Sequence, residues 1–366
     1  MFHDPGRARR ATEGMVDYDD NSGAQRQLVG HHTPRIRGLV DRLGRIDPEL
    51  RIVDYGCGPG TSAIEAVRPA VEAYRANVPE GRIAVCHADQ PGNDWNALFA
   101  LATGPAGYHA GDAGVRTEAA IGSFYQQMVA PGSVALGTSF AASHWLSRAV
   151  RLHAPGTLWF ADLVGDARVT LAAQARQDWI TFLRCRAVEL RPGGYLLVSK
   201  LGSVADPAER NGVAASGRGV YRALQHVAEA MAEDGLIDRP ILDRFVFGLW
   251  FMTVDEAREP LAADPVLAEV FTIEELAIER GVARQADVFA DAVADPVTYA
   301  RLYVGFIRGF ADSTLRTELL GPSAADEAAT ARLADEFYRR LDVLYRQDRD
   351  AYACELWPLT VVLRRT

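Results

Sequence analysis

A glycine-rich turn flanked by two acids is the first feature of this chain that could do chemistry. Ile52-Val53-Asp54-Tyr55-Gly56-Cys57-Gly58-Pro59-Gly60 begins as an apolar run and ends in small residues. That order fits a buried strand that stops, a tight turn and the start of a helix, because small residues let backbone approach a ligand closely. The dinucleotide fingerprint spaces its glycines G-x-G-x-x-G. Here Gly56, Gly58 and Gly60 give G-x-G-x-G, which disfavours a nicotinamide enzyme. Asp54 stands just ahead of the turn, and Asp89 closes the next strand-like run, RIAVCHAD over 82–89. A carboxylate offers two oxygens to two donors, so an acid in the place of Asp89 suits a pair of ribose hydroxyls. The interval between the two acids exceeds the usual ~20 residues, so the helix between them must be extended.

The elements that would position these residues alternate. RIVDY (51–55) reads as a strand, TSAIEAVRPAVEAYRAN (61–77) as a helix and 82–89 as a second strand. SVALGTSF (133–140) reads as a third strand, and TLWFADLV (157–164) as either a short strand or loop. Gln177–Leu190 has a helical pattern, Pro192-Gly193-Gly194 a tight turn, and Tyr195 opens another strand. Strands alternating with helices imply a parallel sheet covered on both faces. Beyond about residue 205 the character changes. Residues 218–345 read as mostly helical, including VYRALQHVAEAMAEDG, TIEELAIERG, TYARLYVGFIRGFADSTL and AADEAATARLADEFYRRLDVLYRQ. LTVVLRRT (359–366) reads as a strand returning to the sheet edge. The organisation is therefore a main domain over 15–205 completed by 346–366, with 206–345 as a helical cap that forms the substrate pocket.

Composition narrows the partners. The net charge is −9 and no basic stripe is present, so a nucleic-acid partner is not expected. No apolar run approaches a membrane span, and the polar, basic first residues lack the apolar core of a secretory signal. Cys57, Cys86, Cys185 and Cys354 are widely spaced and form no CxxC pair. That argues against a zinc site or a disulfide framework and fits a cytoplasmic protein. Lys200 is the only lysine; every other Lys/Arg position is arginine.

Several stretches, taken together, resemble one family. They are Tyr18-Asp-Asp-Asn21-Ser22-Gly-Ala-Gln25, the Asp54–Gly60 turn, Asp89-Gln-Pro91-Gly92-Asn93-Asp94-Trp-Asn96, Gly122-Ser123-Phe124-Tyr125, Ser143-His144-Trp145-Leu146-Ser147, and the block from Phe182 to Gly194. In this order, over roughly 15–202, they are similar to the SABATH carboxyl methyltransferases. The resemblance implies an α/β fold: a Rossmann-like class I methyltransferase sheet with helices on both faces and an inserted α-helical cap. It implies S-adenosyl-L-methionine as cofactor, a small-molecule carboxylic acid as substrate and a possible homodimer; no metal site is expected, because no second His or acid stands at ligand spacing from His144. Carried over by position, Ser22 contacts the methionyl carboxylate, Asp54 the ammonium and Asp89 the ribose, while Ser123 and Phe124 flank the adenine. Tyr18, Gly56, Gly58, Ser62 and Gln90 complete the cofactor set. Gln25 and Trp145 hold the substrate carboxylate through N–H donors, and His144 lines the same pocket. Three positions depart from the family pattern: Ala141 where a Tyr is usual, Gln90 where a Leu is frequent, and Ser62 where an Asn is found.

The implied reaction is an SN2 transfer from a sulfonium. A carboxylate is ionised at neutral pH, its reference pKa being near 4. No general base is needed, and catalysis reduces to holding the reacting atoms in line. An N- or O-methyltransferase acting on a heterocycle or phenol is the alternative; it would need a base, with His144 first in line. A non-catalytic ligand-binding relative is the third reading.

Overall fold

The computed structural model describes residues 29–46, 48–109, 111–278 and 287–366. Its main sheet has seven strands, in the order β3 (Val115–Ile121), β2 (Ile83–Asp89), β1 (Leu50–Tyr55), β4 (Val134–Phe140), β5 (Leu190–Leu201), β9 (Pro358–Arg365) and β8 (Phe271–Ile278). Strands β1 to β5 run parallel. The chain builds outward from β1 to β3, then crosses back to place β4 on the other side of β1. Loops after β1 and β4 therefore diverge and leave a crevice at the carboxyl ends of the strands, the usual ligand position in such a sheet.

Helices cover both faces. On one face lie α1 (Thr33–Leu43) and α2 (Thr61–Asn77), which pack Ile36, Val40, Val67 and Val71 against Ile52, Val85 and Leu197. The short α3 (Trp95–Thr103) follows β2; Asp94 caps it, accepting the Ala97 N–H at 3.0 Å. On the other face α4 (Gly165–Glu189) sets Trp179, Phe182 and Leu183 against Val53, Tyr55 and Val198. Segment 157–164 resolves as loop carrying one 3-10 turn, Phe160–Asp162.

Between β5 and β9 (Pro358–Arg365) come a small hairpin, β6 (Ser203–Ala205) with β7 (Val213–Ala215), and then α5 (Arg218–Glu233), α6 (Val254–Ala263) and α7 (Pro265–Val270). Strand β8 (Phe271–Ile278) follows, then α8 (Pro296–Thr314) and α9 (Glu327–Gln347). Three expectations are corrected here. TIEELAIERG was expected to be helical, but Thr272–Ile278 belongs to β8. The cause is a register shift between Ile273 and Glu275. A bulge adds one residue, so Phe271, Ile273, Leu276 and Ile278 all meet the same core, and the i, i+3 step imitates a helix. The last strand was expected at the sheet edge; β9 instead lies inside the sheet, antiparallel to both β5 and β8, and β8 is the edge. Finally, β3 is a strand that pattern reading passed over. It is the opposite edge, with Arg116 and Glu118 turned outward in an ion pair, so its sequence lacks a continuous apolar run.

Candidate active site

The crevice between the β1, β2 and β4 loops gathers most of the residues singled out from the sequence. Asp54, Gly56, Gly58, Ser62, Asp89 and Gln90 line one part of it. Phe124, Ala141 and Trp145 line the rest. Tyr18, Ser22 and Gln25 lie outside the described residues.

Gly56 is required by geometry. Its φ is +78°, and a Cβ there would overlap the Ala142 methyl and press on the Phe124 ring. The aromatic ring thus sits over the glycine turn with no side chain between them. Ala141, across the crevice, adopts a φ of +50°. A non-glycine residue in the left-handed region is uncommon, and such strain concentrates at functional sites.

Both acids are held by dipoles. Asp54 is 2% exposed. Its Oδ1 accepts the Thr138 hydroxyl at 2.9 Å, and Oδ2 lies 3.9 Å from His87 Nδ1. Burial raises its pKa to about 7, the Thr138 hydroxyl lowers it, and Asp89 raises it further. Burial pushes the neighbouring His87 down to about 4, so at neutral pH that imidazole brings no charge to the acid. Asp89 accepts the Gly58 N–H on Oδ2 and its neighbour's, Gln90 N–H, on Oδ1, each at 2.7 Å. Its pKa is raised by burial, against the pull of those two N–H groups. The Cys57 thiol also bonds the carboxylate, which with about four lone-pair sites keeps capacity for a ligand hydroxyl. Asn93 locks the turn from below, donating from Nδ2 to the Gly58 carbonyl at 2.9 Å.

The loop bearing Phe124 is clamped from α4. Arg186 and Glu189 form a fully buried ion pair at 2.7 Å. Arg186 also donates to the carbonyls of Phe124 (2.8 Å) and Gln126 (2.9 Å). Glu189 accepts from Tyr55 Oη (2.7 Å), Val129 N–H (3.2 Å) and Met128 N–H. The pair is satisfied by backbone groups, by the Tyr55 hydroxyl and by its own partner, which is what keeps buried ions tolerable. Ser123 does not line the crevice. Its hydroxyl faces the Tyr125 N–H at 3.3 Å, within the turn that Gln126 N–H closes on Ser123 carbonyl.

The Trp145 loop is pinned on three sides. Ala141 N–H bonds Ser199 carbonyl on β5 at 2.8 Å. Asp178 of α4 accepts from Ser147 N–H (2.8 Å) and Oγ (2.7 Å). Segment 248–250 supplies Trp250 N–H to His144 carbonyl (2.9 Å) and takes Leu146 N–H on Gly248 carbonyl (2.7 Å). His144 itself is buried, its ring edge-on to Phe251 at 5.1 Å. Burial, with the Lys200 charge adding to it, pushes its pKa down to about 3.

Thr138, His87, Asn93, Asp178, Arg186 and Glu189 are the residues that sequence reading did not place. Asn93, Arg186 and Glu189 stood inside the quoted motifs; the i, i+3 spacing of an Arg and a Glu inside an apolar helix was the signal for the clamp.

A cation-bearing nucleoside fits what is present. The Ser62 hydroxyl is buried in the crevice wall with no partner. Gly56 leaves room against Phe124, and two carboxylates with spare lone pairs converge. A doubly wound sheet with an acid and a glycine turn after β1, and a second acid after β2, defines an S-adenosylmethionine-dependent methyltransferase. The comparisons narrow the class. The family model for SAM-dependent carboxyl methyltransferases matches residues 9–365, and the chain belongs to that family. It is similar to gibberellic acid methyltransferase 2 of Arabidopsis thaliana, with 25% identity over 68% of this chain and 69% of that protein. It is also similar to indole-3-acetate O-methyltransferase 1 of Oryza sativa subsp. japonica, with 26% identity over 73% and 72% of the two chains. A solved loganic acid methyltransferase with SAH shares the fold at a TM-score of 0.74 and 19% identity, over 96% of this chain and 99% of that one. The chain is thus an enzyme that moves a methyl group from S-adenosylmethionine to the carboxylate of a small acid, giving a methyl ester. No described helix is long and apolar enough to cross a membrane.

Proposed function

We propose that the acid is a compact aromatic, indolic or similar carboxylate, held at Trp145 beneath the segment 206–345. The observation that carries this reading is the continuity of one crevice from Asp54 and Asp89, past Phe124, to Ala141 and Trp145. Asp54 faces the ammonium of the cofactor, Asp89 its ribose, and the Phe124 ring its adenine. Gly56, Gly58, Ser62 and Gln90 shape the rest of that half, with Tyr18 and Ser22. Gln25 and the Trp145 indole donate to the substrate carboxylate. A neutral amide and an indole orient the anion without quenching it as an ammonium would. S-adenosylmethionine supplies the electrophilic methyl, already on a good leaving group. What the protein adds is alignment at roughly 3–3.5 Å and exclusion of water.

Segment 206–345 contributes an aromatic cluster next to the Trp145 loop. Phe247, Trp250 and Phe251 are buried against Phe160 and Tyr221. The alternative, methyl transfer to a heterocycle or phenol, asks for a base. His144, depressed to about 3, is a weak one at neutral pH. A net charge of −9 speaks against a nucleic-acid partner, and four free thiols suit the cytoplasm. A homodimer is the expected assembly, which light scattering checks.

The test is a panel of aromatic, indolic and aliphatic acids with methyl-labelled S-adenosylmethionine. Extractable label from aromatic or indolic acids is the expected result. Label only from long aliphatic acids, or none from any acid, contradicts it.

A further inference from the structure

Lys200 is the chain's only lysine among 39 Lys and Arg residues. It sits near the carboxyl end of β5 and is fully buried. Its ammonium lies 3.9 Å from the centroid of the Trp179 ring and 3.3 Å from Met252 Sδ. Among the described residues no carboxylate forms an ion pair with it. Glu256 acts on it from a distance only, and the oxygens of Glu256 are engaged by Trp250 Nε1 (3.2 Å), Thr253 N–H (2.8 Å) and Thr253 Oγ1 (3.1 Å). An ammonium has three N–H donors, and a thioether is a weak acceptor for one of them. Burial accordingly lowers the Lys200 pKa to about 7. An unpaired buried charge is costly, so its environment calls for a partner.

Three further buried polar groups on β4 and the loop after it also lack partners: Ser139 Oγ, Ser143 Oγ and His144 Nδ1. Ser139 pairs with Val198 across β4 and β5, and paired residues share a sheet face, as do residues two apart. Ser139 and Lys200 therefore face the same side, toward Trp179. The Ala141–Trp145 loop runs alongside, since Ala141 N–H bonds the carbonyl of Ser199. His144 packs on Phe251, the neighbour of Met252, and the Lys200 charge reaches its ring. Lys200 and the Ser139 hydroxyl thus share one sheet face, with Ser143 and His144 on the adjoining loop that leads to Trp145. An acid held at Trp145 by its reacting carboxylate would extend its body along His144 and Phe251 toward this cluster.

We propose that Lys200 is a specificity-determining cation that binds a second acceptor oxygen of the acid, best a second carboxylate, away from the one methylated. Ser139 and Ser143 assist it. A diacid then leaves as the monoester, because the carboxylate held by Lys200 is kept from the methyl group. This deepens the carboxyl-methyltransferase reading and rests on it.

Two measurements test the assignment on the full chain. The first compares phenylacetate with 4-hydroxyphenylacetate and 4-carboxyphenylacetate in the wild type and in Lys200→Met. The expected wild-type preference for the oxygenated acids in kcat/KM is about tenfold or more, the scale of one charge-assisted hydrogen bond. Lys200→Met should abolish the preference through KM, spare phenylacetate and keep or raise the melting temperature. Equal loss on all three acids, or an unchanged preference, overturns the proposal. The second uses the wild type alone, so it survives any folding defect of the variant. Selective ¹³C-lysine labelling gives one ε-methylene signal, and its titration midpoint should rise when 4-carboxyphenylacetate is added with S-adenosylhomocysteine. A midpoint that does not move overturns the assignment. Failure of the underlying reading looks different: no acid yields a methyl ester with the wild type.

Discussion

Gly56 and Asp54 carry the cofactor argument at the scale of single residues. Gly56→Ala adds a methyl that meets Ala142 at a φ alanine rarely adopts. The expected result is loss of S-adenosylmethionine binding in calorimetry with the chain still folded; unchanged affinity would contradict the crevice assignment. For Asp54 the sign is fixed by burial. Its folded pKa, about 7, stands above its unfolded value of 3.8. Stability that is present below the unfolded pKa is therefore lost as pH rises toward the folded one, over roughly pH 4–7. A bound ammonium reverses that cost, so cofactor affinity should be about tenfold lower at pH 6 than at pH 8. Asp54→Asn should flatten this dependence, weaken binding at pH 8 and leave the empty protein more stable there. A wild type whose affinity is flat between pH 6 and 8 would count against Asp54 as the ammonium partner.

The Arg186–Glu189 clamp belongs to the scale of elements, because it fixes the Phe124 loop to α4. Arg186→Met leaves Glu189 buried beside Tyr55 without its cation, and breaking such a pair costs about 3–5 kcal/mol. A clear fall in melting temperature is expected, with part of it recovered in Arg186→Met/Glu189→Gln. An unchanged melting temperature in the single variant would show that the pair does not hold the loop. The same scale shows what the sequence could and could not reveal. β1, β2 and the turn were legible because apolar runs end abruptly in glycines and acids. Trp145 and Phe124 were legible only through the order of whole motifs, since a lone buried aromatic reads equally well as core. β8 was misread because its bulge spaces apolar residues three apart, and β3 was missed because an edge strand alternates Arg116 and Glu118 with small residues. Thr138, His87 and Asp178 reach their partners across distant segments, so no local pattern marks them.

Over the whole molecule, the loop carrying Trp145 is tied at once to β5, to α4 and to segment 248–250. The Trp145 wall of the crevice therefore depends on all three segments at once. Trp145→Phe keeps the aromatic packing and removes the indole donor. The expected outcome is a fall in kcat/KM for the acid of at least about tenfold, with S-adenosylmethionine affinity unchanged. Equal loss of cofactor binding would instead make Trp145 a structural wall. The central claim, methyl transfer to a carboxylate oxygen, is read most directly from the chemistry of the product. Product made with methyl-labelled S-adenosylmethionine should lose its label in mild alkali, because a methyl ester hydrolyses there. Label that survives the same treatment would place the methyl on nitrogen or on a phenolic oxygen, and would contradict the account.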